Sequence, residues 1–171
     1  AASDFTLASR MVLCNMAAEM GAKNGYFAPD ARTIEWLSIR ARGPFEAVAS
    51  DPDASYEAVL TYDLSALEPQ IACPHTVDNV KPVSAVAGKP FHQALIGTCT
   101  NGRLEDLEAA AKILFGRKVH PGVRALVLPA SRTVYLEAIE KGLISTVVKA
   151  GCVIVNPGRG PCLGAPEGLP A

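Results

Sequence analysis

The chain has 171 residues, 16 Lys and Arg against 17 Asp and Glu for a formal charge of −1, and 49% hydrophobic content. That length holds one sizeable domain or two small ones without covalent staples, and the near-neutral balance argues against nucleic-acid binding and against disorder. No apolar run reaches the roughly eighteen residues of a membrane span, and AASDFTLASR lacks the basic-then-apolar order of a secretion signal, so the expectation is a cytoplasmic protein with no membrane partner.

From Phe5 to Met20, the residues Leu7, Met11, Cys14 and Ala18 recur at spacings of four, three and four, which predicts an amphipathic helix stopped by Gly21. On that helix Asn15 and Glu19 are four apart and share a second face. The segment GYFA, Gly25 to Ala28, reads as a short strand, and Asp30 as the N-cap of a helix running through Trp36 to Arg42. After the loop at Ser50 to Asp53, alternation from Tyr56 to Asp63 predicts a strand. Pro69 to Cys73 reads as extended and Pro74 to Asn79 as a polar turn. Val80 to Pro90, dense in Pro, Gly and Ala without helical period, reads as a connector.

Beyond it the pattern becomes regular. ALIGT, ALVLP and VIVNP read as strands, and EDLEAAAKILFG, TVYLEAIEKG and LISTVVKAG as helices, an alternation that implies crossover connections and a parallel sheet. The expected organisation is an N-terminal lobe over residues 1–80, a connector at 81–90 and a βαβα unit over 91–171. The abrupt end in GAPEGLPA, straight after an unusual loop, suggests a piece of a longer chain.

Two cysteines stand apart. Cys99 follows an apolar run in GTCTNGR, and Cys162 sits in GPCLG after a second such run, so each lies just past a predicted strand, where open α/β sheets collect ligands. At Cys99 the start of the following helix would favour a thiolate, and the flanking glycines would leave room for a bulky ligand. A small buried core residue is the alternative reading. At Cys162 the rigid Pro and Gly setting favours the ligand reading. Cys14, Cys73 and Cys152 sit in apolar company and read as packing, and five cysteines at irregular spacing do not make a disulfide scaffold. No His pair has zinc-ligand spacing, and there is no GxGxxG after a strand, no P-loop and no GxSxG elbow. For Glu19 a solvated carboxylate near a helix end is the plain reading.

Five stretches together closely resemble the aconitase superfamily: CNMAAEMGAKNGYFAPD, EPQIACPHTVDNVKPV, IGTCTNGRLEDLEAAA, PASRTVYLEA and NPGRGPCLG. Within it they are most similar to the large subunit of 3-isopropylmalate dehydratase and to the homoaconitases, and they match only the middle of such a subunit. The resemblance implies a three-layer αβα fold with a mainly parallel sheet, and a [4Fe–4S] cluster held by three cysteines with one iron left open for substrate. That iron acts as a Lewis acid toward a small di- or tricarboxylic hydroxy acid, which loses and regains water. A separate small subunit is the implied partner, in a heterodimer or larger assembly.

Residue by residue, Cys99 matches the first cluster ligand and Cys162 the third, while Arg159 occupies the position of the second. Arginine offers iron no donor pair, so the expectation is an absent or incomplete cluster. Cys152 is a poor substitute, because it lies at the far end of a strand, ~20 Å away if extended. Glu19 matches the catalytic glutamate that acts on the leaving hydroxyl or water, and Asn15 and Asn101 match asparagines lying against the cluster. The chain alone is expected to be inactive. Alternatives are a homoaconitase or dimethylmalate-type dehydratase, and a non-catalytic scaffold domain with a degenerate cluster site.

Overall fold

The computed structural model describes residues 2–158. The chain falls into two compact units, Ala1–Gly88 and Lys89–Ala171. No helix among the described residues is long and apolar enough to cross a membrane.

The first unit is built on two helices, α1 (Leu7–Met16) and α2 (Ala31–Ser38). Each begins at a side-chain cap: Thr6 Oγ1 accepts from the Ser9 amide at 3.1 Å, and Asp30 Oδ1 from the Thr33 amide at 3.0 Å. The helices are joined by Arg10, whose side chain is only 3% exposed. Its guanidinium donates to both Asp30 carboxylate oxygens at 2.8 and 2.6 Å, to Thr33 Oγ1, and to the carbonyls of Phe5 and Ser3. Those five bonds use all five N–H groups, the condition under which a buried guanidinium is tolerated. The cation also lies over the Phe27 ring, 4.7 Å from its centroid.

Four expectations for this unit are corrected. The first helix does not run to Met20: regular α geometry ends at Met16, and residues 17–21 form tighter turns. Bonds from Gly21 N to Ala18 O and from Ala22 N to Ala17 O close a Schellman motif with Gly21 at φ +80°, so the stop itself is where the glycine put it. Gly25 to Ala28 forms no strand. Gly25 instead crosses α1 so closely that a Cβ would stand 2.7 Å from the Cys14 Cα. Tyr56 to Asp63 forms no strand, because neither set of alternating side chains is covered: Tyr62 is 70% and Val59 80% exposed. The sheet of this unit is a short antiparallel pair, β1 (Gln70–Ala72) and β2 (Val80–Pro82), in register from Gln70 with Pro82 to Ala72 with Val80. The stretch read as connector thus opens with a paired strand.

The second unit has the regular alternation that the sequence predicts. Its elements are β3 (Gln93–Gly97), a single helical turn α3 (Thr98–Asn101), α4 (Leu104–Leu114), β4 (Arg124–Leu128), α5 (Arg132–Glu140), α6 (Leu143–Lys149) and β5 (Val153–Ile154). The strands are parallel in the order β3-β4-β5. Successive right-handed crossovers stepping in one direction place their helices on one face. Accordingly Leu107 and Ala111 of α4, Ala138 of α5 and Val147 of α6 share one buried cluster with Ala125 and Val127 of β4. Leu126, Leu128 and Val155 are buried in a separate cluster. On α4 the predicted stripe is the observed one, with Leu104 and Leu114 packed beside Leu107 and Ala111, while Glu105, Glu108 and Lys112 face solvent. The fold class is α/β with a parallel sheet.

Candidate functional site

The C-terminal edge of this sheet is where β3 turns into α3, and two glycines make that turn possible. Gly97 pairs with Leu128 across the parallel ladder and has φ +132°. A Cβ on Gly97 would sit 2.0 Å from the Leu128 carbonyl oxygen, and one on Gly102 would sit 2.3 Å from the same atom. Thr98, between strand and turn, has φ +78°, a left-handed conformation that a β-branched residue rarely adopts. The turn is fastened at its far end by the Ala130 amide, which donates to the Gly102 carbonyl at 2.7 Å. These constraints hold the turn against the end of β4 and carry Cys99 on its outer side, exposed, with Sγ 3.8 Å from Thr100 Oγ1.

This geometry settles the choice for Cys99, which is not a core residue. It also gives the glycines a backbone role, because the missing side chains of Gly97 and Gly102 make way for the Leu128 carbonyl. Cys99 does not cap the following helix directly: it lies within its own short turn, and α4 starts four residues after Thr100, at Leu104. Asn101 is exposed on that turn, two residues from Cys99. Arg103, which carries no expectation from the sequence, is the N-cap residue of α4. Its amide donates to the Asp106 carboxylate at 3.0 Å, and its Nε is buried with no hydrogen-bond partner among the described residues. A bare arginine after a glycine gives no sequence signal for that.

Asn15 and Glu19 belong to the first unit, and both are exposed. The shared helix face expected for them is absent. Asn15 lies in the last turn of α1, whereas Glu19 lies in the tightened turns beyond it, where the Ala18 amide reaches back three residues to Asn15 O at 3.3 Å. Cys162 and Arg159 lie outside the described residues. Cys152 immediately precedes β5, at the opposite edge of the parallel sheet from Cys99, and is buried; that burial pushes its thiol above the ordinary range. It packs in the core, as do the buried neighbours of Val147. Among the described residues no three His, Cys, Asp or Glu side chains converge on a point that could hold a metal ion.

The profile of the Aconitase family (aconitate hydratase) matches residues 1–93 and 84–171. The chain belongs to the aconitase family. It is 54% identical over 169 residues to a probable methanogen homoaconitase large subunit from Methanosarcina mazei, covering 99% of this chain and 43% of that protein. Against the 3-isopropylmalate dehydratase large subunit of Heliobacterium modesticaldum it is 46% identical over 169 residues, covering 99% of this chain and 40% of the relative. Against the 3-isopropylmalate dehydratase large subunit 2 of Archaeoglobus fulgidus the identity is 50% over 169 residues, covering 98% and 41%. The chain therefore spans about two fifths of the length of the curated relatives it matches.

The cofactor of this family is a [4Fe–4S] cluster. Cys99 is exposed at the sheet edge. Position 159, however, carries a guanidinium with five donors and no lone pair to give to iron.

Proposed function

We propose that this chain is a segment of the large subunit of a hydro-lyase that moves water within a small hydroxy-polycarboxylate, interconverting 2-isopropylmalate and 3-isopropylmalate through 2-isopropylmaleate. The observation that carries this reading is sequence identity of 46–54% maintained over 98–99% of the chain against large subunits of this type. In it Glu19 transfers a proton to or from the departing hydroxyl or water, a role that needs a carboxylate brought within hydrogen-bond reach of that oxygen. By the family match Asn15 and Asn101 are amide donors toward the cluster, and Cys99 and Cys162 are the thiolates that remain of its ligand set. As written, the chain does not complete that set. The working enzyme is cytoplasmic and includes the remainder of the large subunit and a small subunit, so the segment alone does not turn over.

A second reading, homoaconitase, is favoured by one observation: the 54% identity to the Methanosarcina mazei relative exceeds the 46% and 50% to the two dehydratases. One experiment separates the two. Residues 1–171, carrying Arg159→Cys, replace the matching segment of the Methanosarcina mazei large subunit, and hydration of isopropylmaleate and of homoaconitate is measured with the small subunit present. Turnover identifies the preferred substrate. Turnover of neither, with the unmodified relative active in the same assay, refutes the hydro-lyase reading. In the active chimera Glu19→Gln is expected to lower kcat by about 10²–10⁴-fold, the usual worth of a positioned proton-transfer group.

A further inference from the structure

We propose that the cleft where α4 and α6 end, walled by Arg117, Lys118 and Lys149, binds a small phosphate-bearing polyanion, with a pyrophosphate group as the part recognised. The cleft has a volume of about 310 Å³ and lies wholly within the second unit. Such a volume falls at the lower end of ligand pockets. Helix α4 returns from the end of β3 toward the start of β4, and α6 leads into the start of β5, so the cleft sits at the N-terminal edge of the sheet. The Cys99 turn is at the other edge. No Asp or Glu lines the cleft, although acidic residues outnumber basic ones by 17 to 16 in the chain.

Cations at a helix C-terminus ordinarily answer its open carbonyls and its dipole. Here the carbonyls are already answered. Those of Thr146, Val147 and Val148 accept from the amides of Ala150, Cys152 and Gly151 at 3.1, 3.1 and 2.9 Å, and that of Ala150 accepts from the Val119 amide at 2.7 Å. The Lys149 carbonyl accepts from Lys118 Nζ at 2.6 Å, and at the end of α4 the Leu114 carbonyl accepts from the Arg117 amide at 3.0 Å. Lys118 is thus fixed at the cleft as a cap, with two N–H donors to spare. The side chains of Arg117 and Lys149 are exposed on the same cleft and have no hydrogen bond or ion pair among the described residues. Because the Val119–Ala150 bond ties the two walls together, three like charges are held close, and their repulsion is relieved by an anion. The Thr146 hydroxyl donates to the Gly142 carbonyl at 3.1 Å, so recognition falls to the cations. Arginine grips phosphate oxygens two at a time and lysine acts as a point charge, and the several negative charges of a pyrophosphate match three such groups. Phe115, 76% exposed, borders both this cleft and an adjoining hollow that Ala111 and Leu143 also line, which offers a seat for the organic part of a nucleoside diphosphate. None of this depends on the hydro-lyase reading.

The test is calorimetric titration of the 171-residue chain at low ionic strength with inorganic pyrophosphate, with ADP, and with citrate as a carboxylate of similar charge, alongside amide NMR shifts. The expected result is one-to-one binding of pyrophosphate with Kd below about 1 mM, weakened by added salt, with shifts centred on residues 116–118 and 149–150 and much weaker binding of citrate. Arg117→Gln and Lys149→Gln should each weaken binding by about fivefold and together abolish it, whereas Lys81→Gln, on β2 in the first unit, should leave it unchanged. ADP bound more tightly than pyrophosphate, with the gain lost in Phe115→Ala, upholds the site and identifies a nucleotide as its ligand; ADP bound no more tightly upholds it for free diphosphate. Four results overturn the proposal: no saturable binding of either, shifts centred away from the cleft, citrate bound as tightly as pyrophosphate, or undiminished binding in the double variant. If the double variant does not fold, the single variants and the position of the shifts decide.

Discussion

Replacing Gly97 with alanine puts a methyl group where the Leu128 carbonyl already stands. The added Cβ would lie 2.0 Å from that oxygen, 2.8 Å from the carbonyl carbon and 2.9 Å from the Leu128 nitrogen, whereas ordinary contact begins at 3.4 Å. All three atoms are backbone, so no rotamer change relieves the overlap, and β3 and β4 must part by more than an ångström or Gly97 must leave φ +132°. Leaving that conformation abandons the turn. Keeping it costs roughly 1–3 kcal/mol for a residue with a side chain, and opening the ladder costs roughly 0.5–1.5 kcal/mol for each hydrogen bond lost. Together these make a loss of about 3–5 kcal/mol, among the largest that single substitutions produce. With a urea slope of about 1–3 kcal/mol per molar for a small domain, the midpoint of the far-UV circular dichroism transition is expected to fall by more than about 1 M. Gly43→Ala, where a Cβ meets nothing within 4 Å, is the matched control and should stay within about 0.5 kcal/mol of the parent. A Gly97→Ala midpoint as close to the parent as that of the control would refute the claim that the Leu128 carbonyl dictates glycine here.

Other substitutions test the remaining structure. Leu107→Ala empties a fully buried position beneath β4 and should cost about 2–5 kcal/mol, whereas Glu108→Gln, which removes an exposed ion pair with Lys141 at 2.6 Å, should cost less than about 1 kcal/mol; equal losses in urea denaturation would contradict the assigned faces of α4. Hydrogen bonds from Arg10 and then from the Thr33 amide hold the Asp30 carboxyl well below its ordinary range. A group depressed in the folded state stabilises above its unfolded pKa, and that contribution drains away as pH falls toward the folded value. The first unit should therefore keep its stability down to about pH 4 and lose it below, and Asp30→Asn should flatten that loss; fluorescence of Trp36 on α2 reports it, and an unchanged acid slope would remove Asp30 from the account. Alkylation with iodoacetamide should modify exposed Cys99 rapidly and spare buried Cys152 until the chain unfolds. Equal rates under native conditions would place Cys152 at the surface.

How much of this could be read from the amino acids depends on how local each cause is. The stripe of α4 and the strand-helix alternation of the second unit are legible because a periodic apolar face needs only that something cover it, and the sheet does. Alternation from Tyr56 to Asp63 misleads for the same reason in reverse: a period of two records side-chain type, but a strand also needs a neighbouring strand, and the described structure supplies none. The hub at Arg10 is invisible in sequence. Nothing local distinguishes a guanidinium that spends all five donors on Ser3, Phe5, Asp30 and Thr33 from one that faces water, although the capping signal at Asp30 is plain.

The candidate site divides along the same line. Position just past a predicted strand singles out Cys99 and Cys162, and the family resemblance adds Asn101 and the odd Arg159, but neither shows the backbone reason for the glycines around Cys99. Space for a ligand and space for a backbone leave the same letter in the sequence, and only the Leu128 carbonyl distinguishes them. That distinction matters for the chemistry. Because Gly97 and Gly102 serve the close approach of β3 to the end of β4, the turn that presents Cys99 is enforced by the fold itself.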